Sequence, residues 1–528
     1  MMAEAAAHYA AGRIASARQS CEAVIRADPD HCDAHHLIGV LLLDQGDARA
    51  AVPMLQKAVA LLPGRAQAQY HLGNALLAAG RPQEAEHCFR AAIGIEPNHV
   101  DALNNLGNAL MAAKRHAEAA ACFQSVLTAR PGFPPALFNL GSVFMVRDQP
   151  EDAESCYREA LNAEESQPGP ERFALVWCDL GVALMAQGDH QQAIDCFEQA
   201  LVRAPSHSVA IANRALALLS LGRFREGWKG YESRWDLPGF APPEADLTPT
   251  FGTYDPAAMA GRTVLLRYEQ GRGDTLQFVR YAPLLAAHGA KVHLFVQSGL
   301  GALLSSVEGV RAVHEAGDKP LPACDAVWPL ASLPRAFGTE LATIPTNIPY
   351  LRATPERVAA WRTRLMPFES PRVGIAWSGA AGHGHDHLRS IPAARFGPLL
   401  RMRGCSFHLL QTEIRDRDQA WMSGQASPID HRSALTDYAE TAAAVSLMDL
   451  VITVDTGLAH LAGALGRTVW ILLAFSAEWR WLTERSDSPW YPTARLFRQS
   501  TRGDWSTVMV EVEAALTHFL AQTGSRAL

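Results

Sequence analysis

A period of 34 residues through its first half restricts this chain more than any other feature. Cys88, Cys122 and Cys156 stand 34 apart and Cys196 follows after 40; each directly precedes an aromatic residue, Phe89, Phe123, Tyr157 and Phe197. Gly39, Gly73, Gly107 and Gly141 recur in the phrase Leu-Gly or Ile-Gly. Ala51, Ala85, Ala119 and Ala153 follow twelve residues later, and Pro29, Pro63, Pro97 and Pro131 close successive units. An insertion around ESQPGPER shifts the register until Gly181, Ala193 and Pro205 restore it. A period of this length belongs to stacked helix pairs, in which small residues let two helices close and a proline ends the second. Equivalent positions in such a stack lie about 8–10 Å apart, too far for disulfides, so these cysteines read as small packing residues.

The pattern resembles tetratricopeptide repeats and covers residues 1–235, about six or seven units that stack into a superhelix with a concave face. One residue before the Leu-Gly phrase, or at the matching position, stand His71, Asn105, Asn139, Asp179 and Asn213. Asparagine amides both donate to and accept from an extended peptide, whereas polar residues here can equally solvate the first helix of each pair. O-GlcNAc transferases line their repeat groove with such asparagines, and that resemblance implies acceptor-binding roles for Asn105, Asn139 and Asn213.

Residues 236–261 are proline-rich and lack a period, which marks a linker. Beyond them the pattern becomes α/β. Strands are expected from Arg262, Lys291, Val373, Ser406, Leu450 and Thr468, separated by helical stretches. Two doubly wound, Rossmann-like sheets follow, in halves 262–365 and 366–528, with ligands beyond the carboxyl ends of the strands.

Composition excludes several classes. The chain has 528 residues, a net charge of −7 and no long basic run, which argues against nucleic acid as a partner. No apolar run approaches a bilayer span, and the N-terminus does not read as a secretory signal, so a soluble, cytoplasmic protein is expected. Nine cysteines without a CxxC pair give neither a zinc site nor a disulfide framework. Gln270-Gly271-Arg272-Gly273-Asp274 invites a dinucleotide reading, but Leu276 occupies the third glycine position and the next strand ends in Gln297. No GxxxxGK[ST] phosphate loop occurs either, so dehydrogenase and NTPase chemistry are not expected.

Residues 450–466 read LVITVDTGLAHLAGALG, a buried strand running into a polar, tight helix start. Such a turn aims backbone N–H groups and the positive helix end at one point, a seat for phosphate; it also describes an ordinary helix capped by Asp455 or Thr456. The phrases RYEQGRGDTLQFVRYAPLL, WSGAAGHGHDHLRSIP, AETAAAVSLMDLVITVDTGLAHLAGALG and EWRWL…SPWYP resemble the bacterial tetratricopeptide-repeat glycosyltransferases. GRFREGWKGYESRW resembles the last repeat of that family. The resemblance implies a GT-B catalytic part similar to heptosyltransferases, in an architecture like that of O-GlcNAc transferases and of enzymes whose repeats hold flagellin.

It further implies that Asp274 is a general base and that Asp455, Thr456, Gly457 and His460 seat the phosphates of a nucleotide-sugar donor. Arg389 would neutralise the leaving nucleotide, beside Ser390, without a metal. Gly271, Gly273, Gln411 and Trp479 fall on the same ligand side, as do Thr441 and Trp481. Trp479 can stack on a base or wall the cleft, and Asp274 can cap its helix. Ala380 replaces the asparagine usual after WxG, which removes any contact made by that side chain. His383, His385 and His387 lie in a Gly-rich loop with no second ligand cluster, and the Asp-x-Asp pairs at Asp28/Asp30 and Asp416/Asp418 suit no nucleotide-bound metal, so none is expected. The implied function is metal-independent, inverting transfer of a sugar to Ser or Thr of a protein held by the repeats, flagellin foremost. The alternative is a repeat scaffold whose sheets have lost catalysis.

Overall fold

The computed structural model describes residues 1–164, 170–237, 256–318, 321–380, 386–424 and 428–524, with Gly382 and Gly384. Most of the expected linker, and His383 and His385, lie outside the described residues. The chain forms two compact units, Met1–Ala186 with Gln199–Pro205, and Gln187–Glu198 with Ser206–Leu528.

The first unit is a solenoid of helix pairs, for example Ala66–Ala78 with Pro82–Ile95 and Val100–Ala112 with His116–Ala129. The repeated glycine and aromatic residue prove to be one device. A Cβ on Gly73 would stand 2.5 Å from a Phe89 ring carbon, and Gly107 meets Phe123 and Gly141 meets Tyr157 in the same way. These rings are 0–1 % exposed. The glycine lets the second helix press its ring onto the backbone of the first, and burying each aromatic side chain stabilises the pair by about 1.5–3 kcal/mol. All nine cysteines are free thiols.

The second unit takes in Gln187–Glu198 and, from Ser206 onward, a helix pair, Ser208–Ser220 and Phe224–Tyr231, and a 3-10 turn, Glu232–Asp236. The boundary expected at residue 235 therefore falls inside this unit: these helices pack with the sheets because Trp228 and Tyr231 join their core. The first sheet contains β1 (Thr263–Arg267), β2 (Lys291–Val296), β3 (Val310–Glu315) and β4 (Ala326–Pro329), all parallel, in the order β3-β2-β1-β4. The second contains β5 (Arg372–Ala376), β6 (Ser406–Leu409), β7 (Ile429–Asp430), β8 (Leu450–Val454), β9 (Val469–Leu473) and β10 (Ala494–Arg498). It too is parallel, in the order β10-β9-β8-β5-β6-β7. Strands β8 and β9 are buried along their whole length, as an inner parallel strand covered on both faces must be. The repeats followed by two such sheets are the expected solenoid and α/β architecture, consistent with GT-B. Among the described residues no helix is long and apolar enough to cross a membrane.

Candidate active site

Strand order places the site. In the first sheet the direction of winding reverses at β1, which lies between β2 and β4; in the second it reverses between β5 and β8. Loops leaving the carboxyl ends of strands at such switch points are splayed apart and open a crevice. The loops after β1, β5 and β8 carry Gly271–Asp274, Ser378–Ser390 and Asp455–His460.

The first and third of these loops touch. A Cβ on Gly273 would lie 2.8 Å from His460 Cδ2 and 3.6 Å from Gly457 Cα. A Cβ on Gly457 would lie 2.9 Å from the Tyr438 hydroxyl. Both positions require glycine because another loop or a side chain passes against the backbone. The helix Gly457–Ala464 has no side-chain cap, so neither Asp455 nor Thr456 closes its N-terminus. Thr456 instead approaches the Thr453 hydroxyl at 3.3 Å. The uncapped start keeps its positive end for an anion.

His460 is 5 % exposed, stacks on Trp481 at 5.4 Å and shares a 2.9 Å hydrogen bond between Nδ1 and the Tyr491 hydroxyl. Burial holds its pKa well below the usual imidazole range, helped by the charges of Arg480, Arg280 and Arg389. It is therefore neutral, with one ring nitrogen a donor and the other an acceptor. Burial pushes the Asp455 carboxyl above its ordinary range, against the opposing pull of the Trp481 indole N–H and of Arg389 and Arg480.

Asp274 sits in the first turn of the helix Arg272–Phe278. Its Oδ2 accepts the Gly271 N–H at 2.8 Å, and Oδ1 pairs with Arg480 of the other half. The capping alternative is thus realised, and glycine has no side chain with which to reciprocate. Arg480, whose side chain is 3 % exposed, went unnoticed inside the phrase EWRWL. A charged residue within so apolar a phrase was the available signal.

Arg389 lies 3.6 Å from the Asp386 carboxylate, its side chain is 21 % exposed, and its charge reaches Asp455 and His460. Its Nε has no hydrogen-bond partner among the described residues. Asp386 is the anchor of this loop: it also takes Arg415 and the Ser390 hydroxyl, the latter at 2.8 Å.

Several expected contacts are committed elsewhere. Ser390 is 4 % exposed, donates to Asp386 and accepts the Gly379 N–H at 3.1 Å, so it shapes the loop. Gln411 Oε1 accepts from Trp377 N–H at 2.8 Å, and its Nε2 donates to Ser378 and to the Glu413 carbonyl, which exhausts the amide. Trp479 is 3 % exposed and packs among Phe224, Trp228, Phe278 and Trp490, with Arg480 at 4.4 Å over its ring. It is a core residue with no face for a nucleotide base. The Gly271 N–H is taken by Asp274, and Thr441 donates to the Asp437 carbonyl within its own helix. Among the described residues no group of three or more metal-ligating side chains occurs.

In the repeats, Asn105 donates to Asn74 at 2.7 Å and accepts from Asn104, while Asn139 donates to Asn104 at 3.2 Å. The amides form a chain along the stack, each half-buried or more. His71 shares a 2.7 Å hydrogen bond with His36, and both are held near pKa 4 by burial. Asn213 belongs to the second unit.

Comparison with known proteins agrees with this division. Tetratricopeptide-repeat families match residues 2–66, 36–95, 70–134 and 134–206. Glycosyltransferase family 9 (heptosyltransferase) matches residues 433–500, which contain Asp455, His460 and Arg480 but neither Asp274 nor Arg389. Protein FlbA of Caulobacter vibrioides (strain ATCC 19089 / CIP 103742 / CB 15) is 27 % identical over 416 residues, 66 % of this chain and 68 % of FlbA. Among solved structures, MamA residues 41–end from Desulfovibrio magneticus RS-1 is 21 % identical over 33 % of this chain and 96 % of its own, with a TM-score of 0.30. PilW, a type IV pilus biogenesis factor, is 21 % identical over 40 % and 94 %, with a TM-score of 0.36. Likenesses that slight carry no argument. The chain carries tetratricopeptide repeats together with a glycosyltransferase family 9 domain, the constitution of a repeat-containing bacterial glycosyltransferase.

Proposed function

We propose that the chain transfers a sugar from a nucleotide-sugar donor to a serine or threonine hydroxyl of a protein recruited by the repeats, with flagellin the foremost acceptor. The observation that carries this reading is the meeting of the loop after β1 with the helix after β8. It brings the loop of the Asp274 carboxylate against neutral His460 and an uncapped helix start, within reach of the Arg389 charge. The acceptor oxygen attacks the anomeric carbon, the carbon–oxygen bond to phosphate breaks, the nucleotide departs with the electron pair, and Asp274 takes the hydroxyl proton. A single displacement of this kind inverts the anomeric centre. The guanidinium of Arg389 and the helix dipole stabilise the charge that develops on the leaving phosphate, so no metal is needed. Choice of protein and of flagellin rests on the family resemblance and the amide chain of the repeats, as does cytoplasmic action on an unexported acceptor.

The test is intact-mass analysis of flagellin from cells with and without this gene. It is followed by incubation of unmodified flagellin with the purified full-length chain, a panel of UDP-, GDP-, ADP- and CMP-linked sugars, and EDTA. A mass increment that needs the gene, survives EDTA and is lost with Asp274→Asn is expected. Flagellin of equal mass in both strains removes it as acceptor. Dependence on added Mg²⁺ removes the metal-free mechanism, and no turnover of any donor favours the scaffold.

A further inference from the structure

Arg480 lies across the two halves of the α/β unit and has no role in the chemistry above. Its guanidinium is buried among carboxylates and amides. One arm binds Asp274 Oδ1, another binds Glu478, and Nε donates to Gln277 Oε1 at 2.5 Å. The plane rests on Trp479 at 4.4 Å and near Phe278 at 5.5 Å, both buried, so the group is clamped by packing as well as by hydrogen bonds. A planar cation with fixed donors is suited to locking a carboxylate in one orientation.

We infer that Arg480 is the positioning residue for Asp274, an inference that rests on the reading of Asp274 as the base. The Gly271 N–H fixes Oδ2 alone and would leave the carboxylate free to turn about its own bond. The Arg480 arm on Oδ1 removes that freedom and leaves lone-pair directions on both oxygens for an incoming hydroxyl. Because Arg480 belongs to the half that bears Gly457 and His460, it also ties the position of the base to the half that holds the donor. A base displaced by an ångström relative to the anomeric carbon loses on the order of 100-fold in rate, whereas donor binding is untouched. Arg480 therefore acts on turnover through Asp274.

The experiment uses the full-length chain with flagellin and the donor selected from the UDP-, GDP-, ADP- and CMP-linked panel. Arg480→Gln, Arg480→Lys, Asp274→Asn and the Arg480→Gln/Asp274→Asn pair are compared, with melting temperature as the folding control. Arg480→Gln is expected to lower kcat on the order of 10- to 100-fold with donor KM within about threefold. Arg480→Lys, which keeps a cation but not the planar fork, should fall between that variant and the parent. The double variant should be no slower than Asp274→Asn alone. A parent-like kcat in Arg480→Gln overturns the inference. So does a raised donor KM at unchanged kcat, or a double variant slower by the product of the two losses. Should Arg480→Gln fail to fold, Arg480→Lys at the parent rate overturns it equally. A folded Asp274→Asn protein at the parent rate is a different failure: it removes the base itself.

Discussion

Replacing Glu269 by glutamine tests whether the last helix pair is built into the catalytic unit. Glu269 begins the Gly-rich loop after β1, and its side chain and that of Arg234 are each 3 % exposed. Arg234 donates to it through Nε at 2.8 Å and Nη2 at 3.0 Å, and the Ala331 N–H adds a third bond at 3.1 Å. Arg234 is also held by Glu232 at 3.1 Å and by the Ser332 hydroxyl at 2.7 Å. Tyr231 reinforces the tie by bonding Gln270 at 2.9 Å. Glutamine keeps the volume but removes the charge and turns an NH₂ group toward the guanidinium. Breaking a buried pair costs about 3–5 kcal/mol; since Glu232 still compensates Arg234, the lower end, about 3 kcal/mol, is expected. Tryptophan fluorescence during urea unfolding is a selective assay, because of the 12 tryptophans Trp177 alone lies outside the second unit. Each unit's transition must be followed separately, since a two-unit chain is not two-state. A loss below about 1 kcal/mol in the fluorescence transition would refute the argument.

Three other outcomes follow from particular residues. Gly73→Ala gains about 1 kcal/mol of helix propensity but forces the Phe89 ring away, at about 1–3 kcal/mol; the repeats should lose stability in circular-dichroism melts, and a gain would contradict the packing. Burial raises Asp179 to about 6, so its ionised form destabilises the repeats: the folded state is favoured below the carboxylate's ordinary range and loses ground as pH rises toward 6. Asp179→Asn should therefore stabilise the repeats at pH 7–8, by an amount of order 1–3 kcal/mol, and not at pH 3.5; equal effects at both would exclude this cause. Arg389→Ala should weaken binding of the panel nucleotide about 10- to 100-fold by calorimetry, and unchanged affinity would leave Arg389 a partner of Asp386 alone.

The periodic parts of this protein are legible in its sequence because they rest on local rules. Glycine and aromatic residues recur at fixed spacing since each repeat solves the same helix-pair contact, and β8 and β9 read as strands since a parallel strand covered on both faces must be apolar throughout. Asp455–His460 follow from the same logic, as a turn between a buried strand and a helix. Tertiary structure decided the rest, where residues far apart in the chain share one interaction. Nothing local marks Gln411 as the acceptor for two backbone N–H groups of the loop after β5, or Trp479 as part of a core that includes the last helix pair. The tie across residue 235 is of the same kind: period ends there, but Arg234 and Glu269 join the two sides by a buried charge pair that no spacing announces. Asp274 is the clearest case. Its place in a Gly-rich loop is a property of sequence, whereas its hold on Arg480, 206 residues away, exists because folding brings the loop after β1 against the segment after β9.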